Sequence, residues 1–157
     1  MEKILNYING ELVEPIKGKY LDNYNPATGK VYSLVPDSDA EDINKAVAAA
    51  KKAFKTWSKT SKQERSEILL RLADTIENHF DELVVAESKD NGKPESLARA
   101  VDIPRAPINL RFFATAVLHF DSKIHEMDGV ALNYTLRQPI GVAACISPWN
   151  LPLYLLT

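Results

Sequence analysis

The 157-residue sequence is short of cysteine, glycine and long apolar runs, and each shortage closes off a class of function. Its one cysteine, Cys145, cannot form an internal disulfide, so nothing points to an oxidising compartment and the composition reads as cytoplasmic. The six glycines, at 10, 18, 29, 92, 129 and 141, include no pair spaced as G-x-G-x-x-G or as a P-loop, so no phosphate-cradling glycine turn is encoded here. No stretch approaches the ~18 apolar residues of a membrane span. Met1 to Leu12 mixes Glu2, Lys3, Asn6 and Asn9 with its apolar residues and lacks the continuous apolar core of a signal peptide. Neither sign of charge dominates. The formal net charge is −2, and the basic residues are spread out, which argues against nucleic acid or an anionic membrane as partner. His79, His119 and His125 have no metal-ligand spacing and no second cysteine to help them, so solvated or core roles are expected.

What is present has a clear order. Asn9-Gly10 lies between short apolar groups and predicts a hairpin turn, because both turn positions need positive φ. A second turn at Asn25-Pro26-Ala27-Thr28-Gly29-Lys30 leads into Val31–Val35, so the chain opens as a small β meander. The period then becomes helical. Ser38-Asp39-Ala40-Glu41 reads as a capping box ahead of Ile43, Ala46, Val47, Ala50, Phe54 and Trp57. Ser61-Lys62-Gln63-Glu64 reads as a second one, ahead of Ile68, Leu69, Leu72, Ile76, Phe80 and Leu83. That second helix can run to Asp90, with Asn91-Gly92 as a left-handed stop and Pro94 enforcing it. Together the two predict a long antiparallel helical hairpin. A third helical stretch from Glu95 to Leu118 contains Pro104 and Pro107 and must kink or divide. Val130, Leu132, Tyr134 and Leu136 alternate as in a half-exposed strand.

The uninterrupted apolar run Ile140–Ile146 predicts a parallel strand buried on both faces, with Cys145 as plain core. Such a strand needs parallel neighbours, and the apolar residues Leu151, Leu153, Leu155 and Leu156 need cover, so the chain reads as a truncated sheet. The class is α/β and incomplete.

Two places carry candidate chemistry. Arg105, beside Pro104 and Pro107 on irregular backbone, is either a guanidinium fork for a carboxylate or one half of a surface ion pair. Ser147-Pro148-Trp149-Asn150 comes just after the expected strand, where open α/β sheets bind ligands. The Asn150 amide is either a donor to a developing oxyanion or an ordinary turn residue.

Four motifs in one order are similar to the aldehyde dehydrogenase superfamily: Asn25-Pro26-Ala27-Thr28-Gly29-Lys30-Val31, Asp90-Asn91-Gly92-Lys93-Pro94, Pro139-Ile140-Gly141-Val142, and Pro148-Trp149-Asn150-Leu151-Pro152. The likeness spans essentially the whole chain. Within the superfamily, Asp102-Ile103-Pro104-Arg105, Asn109-Leu110-Arg111-Phe112-Phe113 and the stretch after Asn150 most resemble the branch acting on 2-amino- or 2-hydroxymuconic 6-semialdehyde. The resemblance implies that Asn150 is the oxyanion-hole residue and that Ile146, Ser147, Pro148, Trp149 and Asn150 line the NAD pocket, with NADP also open. It implies that Arg105 holds the substrate carboxylate and that Asp102 lies near a cation site.

By the same likeness, residues 1–120 begin a cofactor-binding domain and 121–138 form a hairpin arm that pairs with another subunit. Residues 139–157 hold the first strand of a Rossmann-like sheet and its loop, and the full-length enzyme is a homo-dimer or tetramer. The family's nucleophilic cysteine and glutamate base lie downstream of these residues. Cys145 precedes Trp149-Asn150 and so does not match that nucleophile, and the chain alone is expected to be inactive. The competing reading is a non-catalytic structural or assembly protein that keeps the scaffold.

Overall fold

Asn9 and Gly10 take φ of 56° and 86°, both in the left-handed region. They join strands β2 (Asn6–Ile8) and β3 (Glu11–Val13) as a two-residue antiparallel hairpin. The structure, a computed structural model, describes residues 1–157. Strand β4 (Tyr20–Asn25) turns at Asn25, whose side-chain oxygen accepts the Ala27 amide at 2.9 Å, and returns as β5 (Lys30–Pro36). The short β1 (Glu2–Lys3) adds in parallel to the far edge of β5, giving a three-stranded sheet in the order β1-β5-β4.

Helix α1 (Ala40–Trp57) starts one residue later than the sequence predicts. Its capping box is Asp39 with Asp42, not Ser38 with Glu41. The shift lets one carboxylate serve two donors: Asp42 accepts the Asp39 amide at 3.2 Å and the Ile16 amide at 3.0 Å. Ser38 instead accepts a hydrogen bond from the Asn6 amide at 2.7 Å. The expected apolar stripe of α1 is only partly covered, with Ile43 and Trp57 exposed.

Helix α2 (Lys62–Asn78) has the capping box expected of it. The Ser61 hydroxyl accepts the Glu64 amide at 3.1 Å, and Glu64 accepts the Ser61 amide at 2.8 Å. Those bonds, backbone first, hold the Glu64 carboxyl below its ordinary value of 4.5. A depressed folded-state value means the contribution is complete above 4.5 and is lost as pH falls through the folded value. Urea unfolding of wild type and Glu64→Gln should therefore differ most at neutral pH and converge in acid. A stability gap that persists unchanged to the acid limit would show that the carboxylate charge is not what caps the helix.

The second helix does not continue to Asp90. It breaks at His79, and α3 (Phe80–Asn91) begins there. No Pro or Gly marks the break; packing decides it. Leu69, Ala73 and Ile76 of α2 close on Ala106 and Leu110, whereas Val84 of α3 closes on Ala98 and Ile103. The expected α1–α2 hairpin is likewise replaced, since α2 packs chiefly on α5 (Ile103–Ala116). At the other end of α3 the expected stop is present: Gly92 has φ 78°, and a side chain there would come within 2.9 Å of the Pro26 ring.

The third helical stretch is continuous but widened in the middle. α4 (Glu95–Leu97) passes into a π segment (Ala98–Asp102) and then into α5. The Ile103 amide bonds the Ala98 carbonyl, one residue further back than in an α-helix. The wider turn stands directly before Pro104, whose ring needs room and which brings no donor. A single 3₁₀ turn (Val117–His119) comes next, then the hairpin β6 (Ile124–Met127) and β7 (Ala131–Tyr134), exposed on both faces. No helix is long and apolar enough to cross a membrane.

Residues 140–146 depart from the sequence reading. They pair with no strand, and Ile140, Cys145 and Ile146 are exposed, so Cys145 is not a core residue in this chain. A parallel strand cannot form without a neighbour to take its backbone bonds, and no segment of these 157 residues supplies one. The tail departs in the opposite sense. α6 (Pro152–Leu156) folds back on α5, and Leu153 packs against both core clusters, although Leu156 stays exposed.

Candidate functional site

Two acids lie where apolar residues belong. Glu87 falls on the α3 face already used by Phe80, Leu83 and Val84, and Asp102 ends the π segment beside Ile103. Both are buried, at 5% and 2% exposure. Buried carboxylates require a partner or they protonate, and the partner is Lys93. Its ammonium meets Glu87 Oε1 at 3.2 Å, Asp102 Oδ2 closely, and the backbone carbonyl of Asn150 at 3.1 Å. Three N–H donors have three acceptors, the full capacity of a lysine. The second oxygen of Glu87 faces the Leu153 amide at 3.5 Å.

Lys93 is itself held from behind. Its amide donates to the Asn91 side chain at 3.1 Å, and its carbonyl accepts the Ser88 hydroxyl at 2.6 Å. The left-handed Gly92 turns the chain so that Lys93 points back over α3. The sheet braces the same corner, because the Tyr32 hydroxyl donates to Asp90 at 2.9 Å and Asn23 donates to Tyr32 at 3.0 Å. Burial first, then the bond to Asp90, raises the Tyr32 phenol above its ordinary value. The meander reaches this corner through Asp90 and Gly92, and the Asn150 loop reaches it through Lys93.

Asn150, first among the residues singled out in the sequence, is fixed through its carbonyl, while its side-chain amide makes no hydrogen bond within the chain and is exposed. Ile146, Ser147, Pro148 and Trp149 are exposed, with Ile146 at 97% and Trp149 at 82%. Arg105 has no carboxylate partner, so the surface ion pair considered for it is not formed. Its guanidinium lies 5.0 Å from the centre of the Tyr154 ring, four residues beyond Asn150. Asp102, for which the resemblance implies a nearby cation site, is ion-paired with the Lys93 ammonium. Cys145 stands alone. A groove of about 600 Å³ touches Glu87 and Leu153 but not Asn150, Trp149 or Arg105, and the chemistry does not converge there. The sequence reading placed Lys93 in the helix-end motif without giving it a role and passed over Glu87, for which the available signal was an acid on an otherwise apolar helical stripe.

A profile of the aldehyde dehydrogenase family matches residues 13–157. The chain belongs to the aldehyde dehydrogenase family. Among relatives, 2-aminomuconic semialdehyde dehydrogenase of Danio rerio is 55% identical over 153 residues, 97% of this chain and 31% of the relative. The 2-hydroxymuconic semialdehyde dehydrogenase of Pseudomonas sp. (strain CF600) is 44% identical, over 100% of this chain and 33% of the relative. An aldehyde dehydrogenase from Bacillus cereus, solved as an NAD+ complex, superposes with a TM-score of 0.93 at 39% identity, over 99% of this chain and 32% of that one. The chain spans about a third of the length of the curated relatives it matches. The mixed helix and strand architecture, with Arg105, Lys93 and the Asn150 loop on it, is that of the opening third of an aldehyde dehydrogenase.

Proposed function

We propose that the chain supplies one wall of the active site of an NAD(P)-dependent dehydrogenase that oxidises a carboxylate-bearing semialdehyde, 2-amino- or 2-hydroxymuconic 6-semialdehyde, to the acid. The observation that carries this is the division of labour at Asn150: the backbone is anchored by a buried ion cluster, and the amide side chain is left free to donate. In the family's reaction a thiolate adds to the aldehyde carbon and the carbonyl oxygen becomes negative. A fixed N–H donor aimed at that oxygen stabilises the charged state more than the neutral one, which is what accelerates the step. Ile146 and Trp149 offer uncovered apolar area suited to the flat rings of a dinucleotide. NAD(P) held there would supply the hydride acceptor for the oxidation. Arg105, with no internal carboxylate, is available to the substrate's own. The β6–β7 hairpin, apolar and exposed at Ile124, Leu132 and Tyr134, fits an arm that pairs with a second subunit of a dimer or tetramer.

Full-length enzyme supplied with NAD should oxidise the muconic semialdehyde faster, per KM, than a neutral aldehyde of similar length. The 157-residue chain by itself should release no NADH above the buffer rate. NADH release from the short chain that vanishes on Cys145→Ala would make Cys145 a working nucleophile and overturn the assignment of roles.

A further inference from the structure

We infer that Lys93 is a positioning residue for the reaction: it sets the place of the Asn150 amide through the Asn150 carbonyl, an inference that rests on Asn150 being the oxyanion donor. Three observations converge on it. The ammonium spans from the two buried acids of the helical layer, Glu87 and Asp102, to the backbone of the loop, and it is the one side chain bonded to that loop's Asn150. Its own backbone is clamped on both sides by Asn91 and Ser88, and the preceding Gly92 sits against Pro26 with no space for a side chain. Ile146 to Trp149 make no hydrogen bond to the rest of the chain, so Asn150 is the first residue of the loop held by one, ahead of the Leu153 packing. A donor rotated or displaced by a fraction of an ångström still lets aldehyde and cofactor bind but no longer meets the oxygen when charge develops on it. Lys93 therefore acts on the chemical step and not on binding.

The test is a cycle in the full-length enzyme, read as the single-turnover rate of NADH formation and as KM for the aldehyde. Lys93→Met should slow the single turnover about tenfold to a hundredfold and leave KM within about threefold. Added to Asn150→Ala, the same change should cost almost nothing further, because a displaced donor and an absent donor are equivalent. Since Lys93→Met strands two buried acids, the cycle is repeated with Glu87→Gln and Asp102→Asn present, where Lys93→Met leaves no charge in the site and circular dichroism checks the fold. A normal single-turnover rate for Lys93→Met in that background overturns the inference. So does a loss that multiplies with that of Asn150→Ala, the signature of a lysine that only stabilises the fold. If Asn150→Ala alone leaves the rate intact, the oxyanion reading fails, and the Lys93 inference with it. If Asn150→Ala slows turnover and Lys93→Met multiplies the effect, the Lys93 inference fails alone.

Discussion

Asn150→Ala in the full-length enzyme should lower kcat about 10²–10³-fold, the scale of losing one oxyanion-hole donor. The fold gives this change little other means of acting. The Asn150 side chain bonds nothing in the chain and is exposed, and its backbone carbonyl, which Lys93 holds, survives the substitution. Thermal stability should therefore stay close to wild type, and KM for NAD should change little. An ordinary turn asparagine predicts the reverse pattern, a small stability change and normal turnover. Kinetics at saturating aldehyde, with the chemical step shown to be rate-limiting by single turnover, decide between them. Near-normal kcat under those conditions would reduce Asn150 to a loop residue.

Arg105→Ala should raise KM for a muconic semialdehyde about ten- to a hundredfold and barely alter it for a neutral aldehyde of similar length. A charge-assisted hydrogen-bonded contact is worth roughly 1.5–3 kcal/mol, which sets that range. The stacking of Arg105 on Tyr154 is lost for both substrates alike and contributes about 0.5–1 kcal/mol at an exposed position, so it cannot produce a difference between them. Arg105→Lys should recover part of the affinity, because the charge remains and the planar fork does not. Equal effects on the charged and neutral aldehydes would remove the muconic assignment and leave the family membership untouched.

Local features were the most legible part of this fold in the sequence. The Asn9-Gly10 hairpin, the Ser61–Glu64 cap and the left-handed stop at Gly92 each depend on a few adjacent residues with one good conformation. Pro104 announced an irregular helix, and a π segment precedes it. Of the proposed site, the sequence offered separate pieces. Asn150 and Arg105 stood out through their neighbours and through the family motifs. Lys93 stood in the helix-end motif with no visible role, because its partners lie 6, 9 and 57 positions away.

By itself the sequence determined the family, the Asn9-Gly10 turn, the Ser61 cap and the left-handed stop at Gly92, since these depend on short-range backbone preference and on motif. Tertiary structure decided where packing competes with propensity. It broke the helix at His79, which carries no breaking residue, so that Val84 could close on Ala98 and Ile103. It moved the first cap to Asp39 so that Asp42 could also hold Ile16. Residues 140–146 pair with no strand of this chain despite an apolar composition, because a β-strand is defined by the neighbour that accepts its hydrogen bonds. And tertiary structure joined Glu87, Lys93, Asp102 and Asn150 into one cluster, because a buried acid must find a cation wherever in the chain that cation lies.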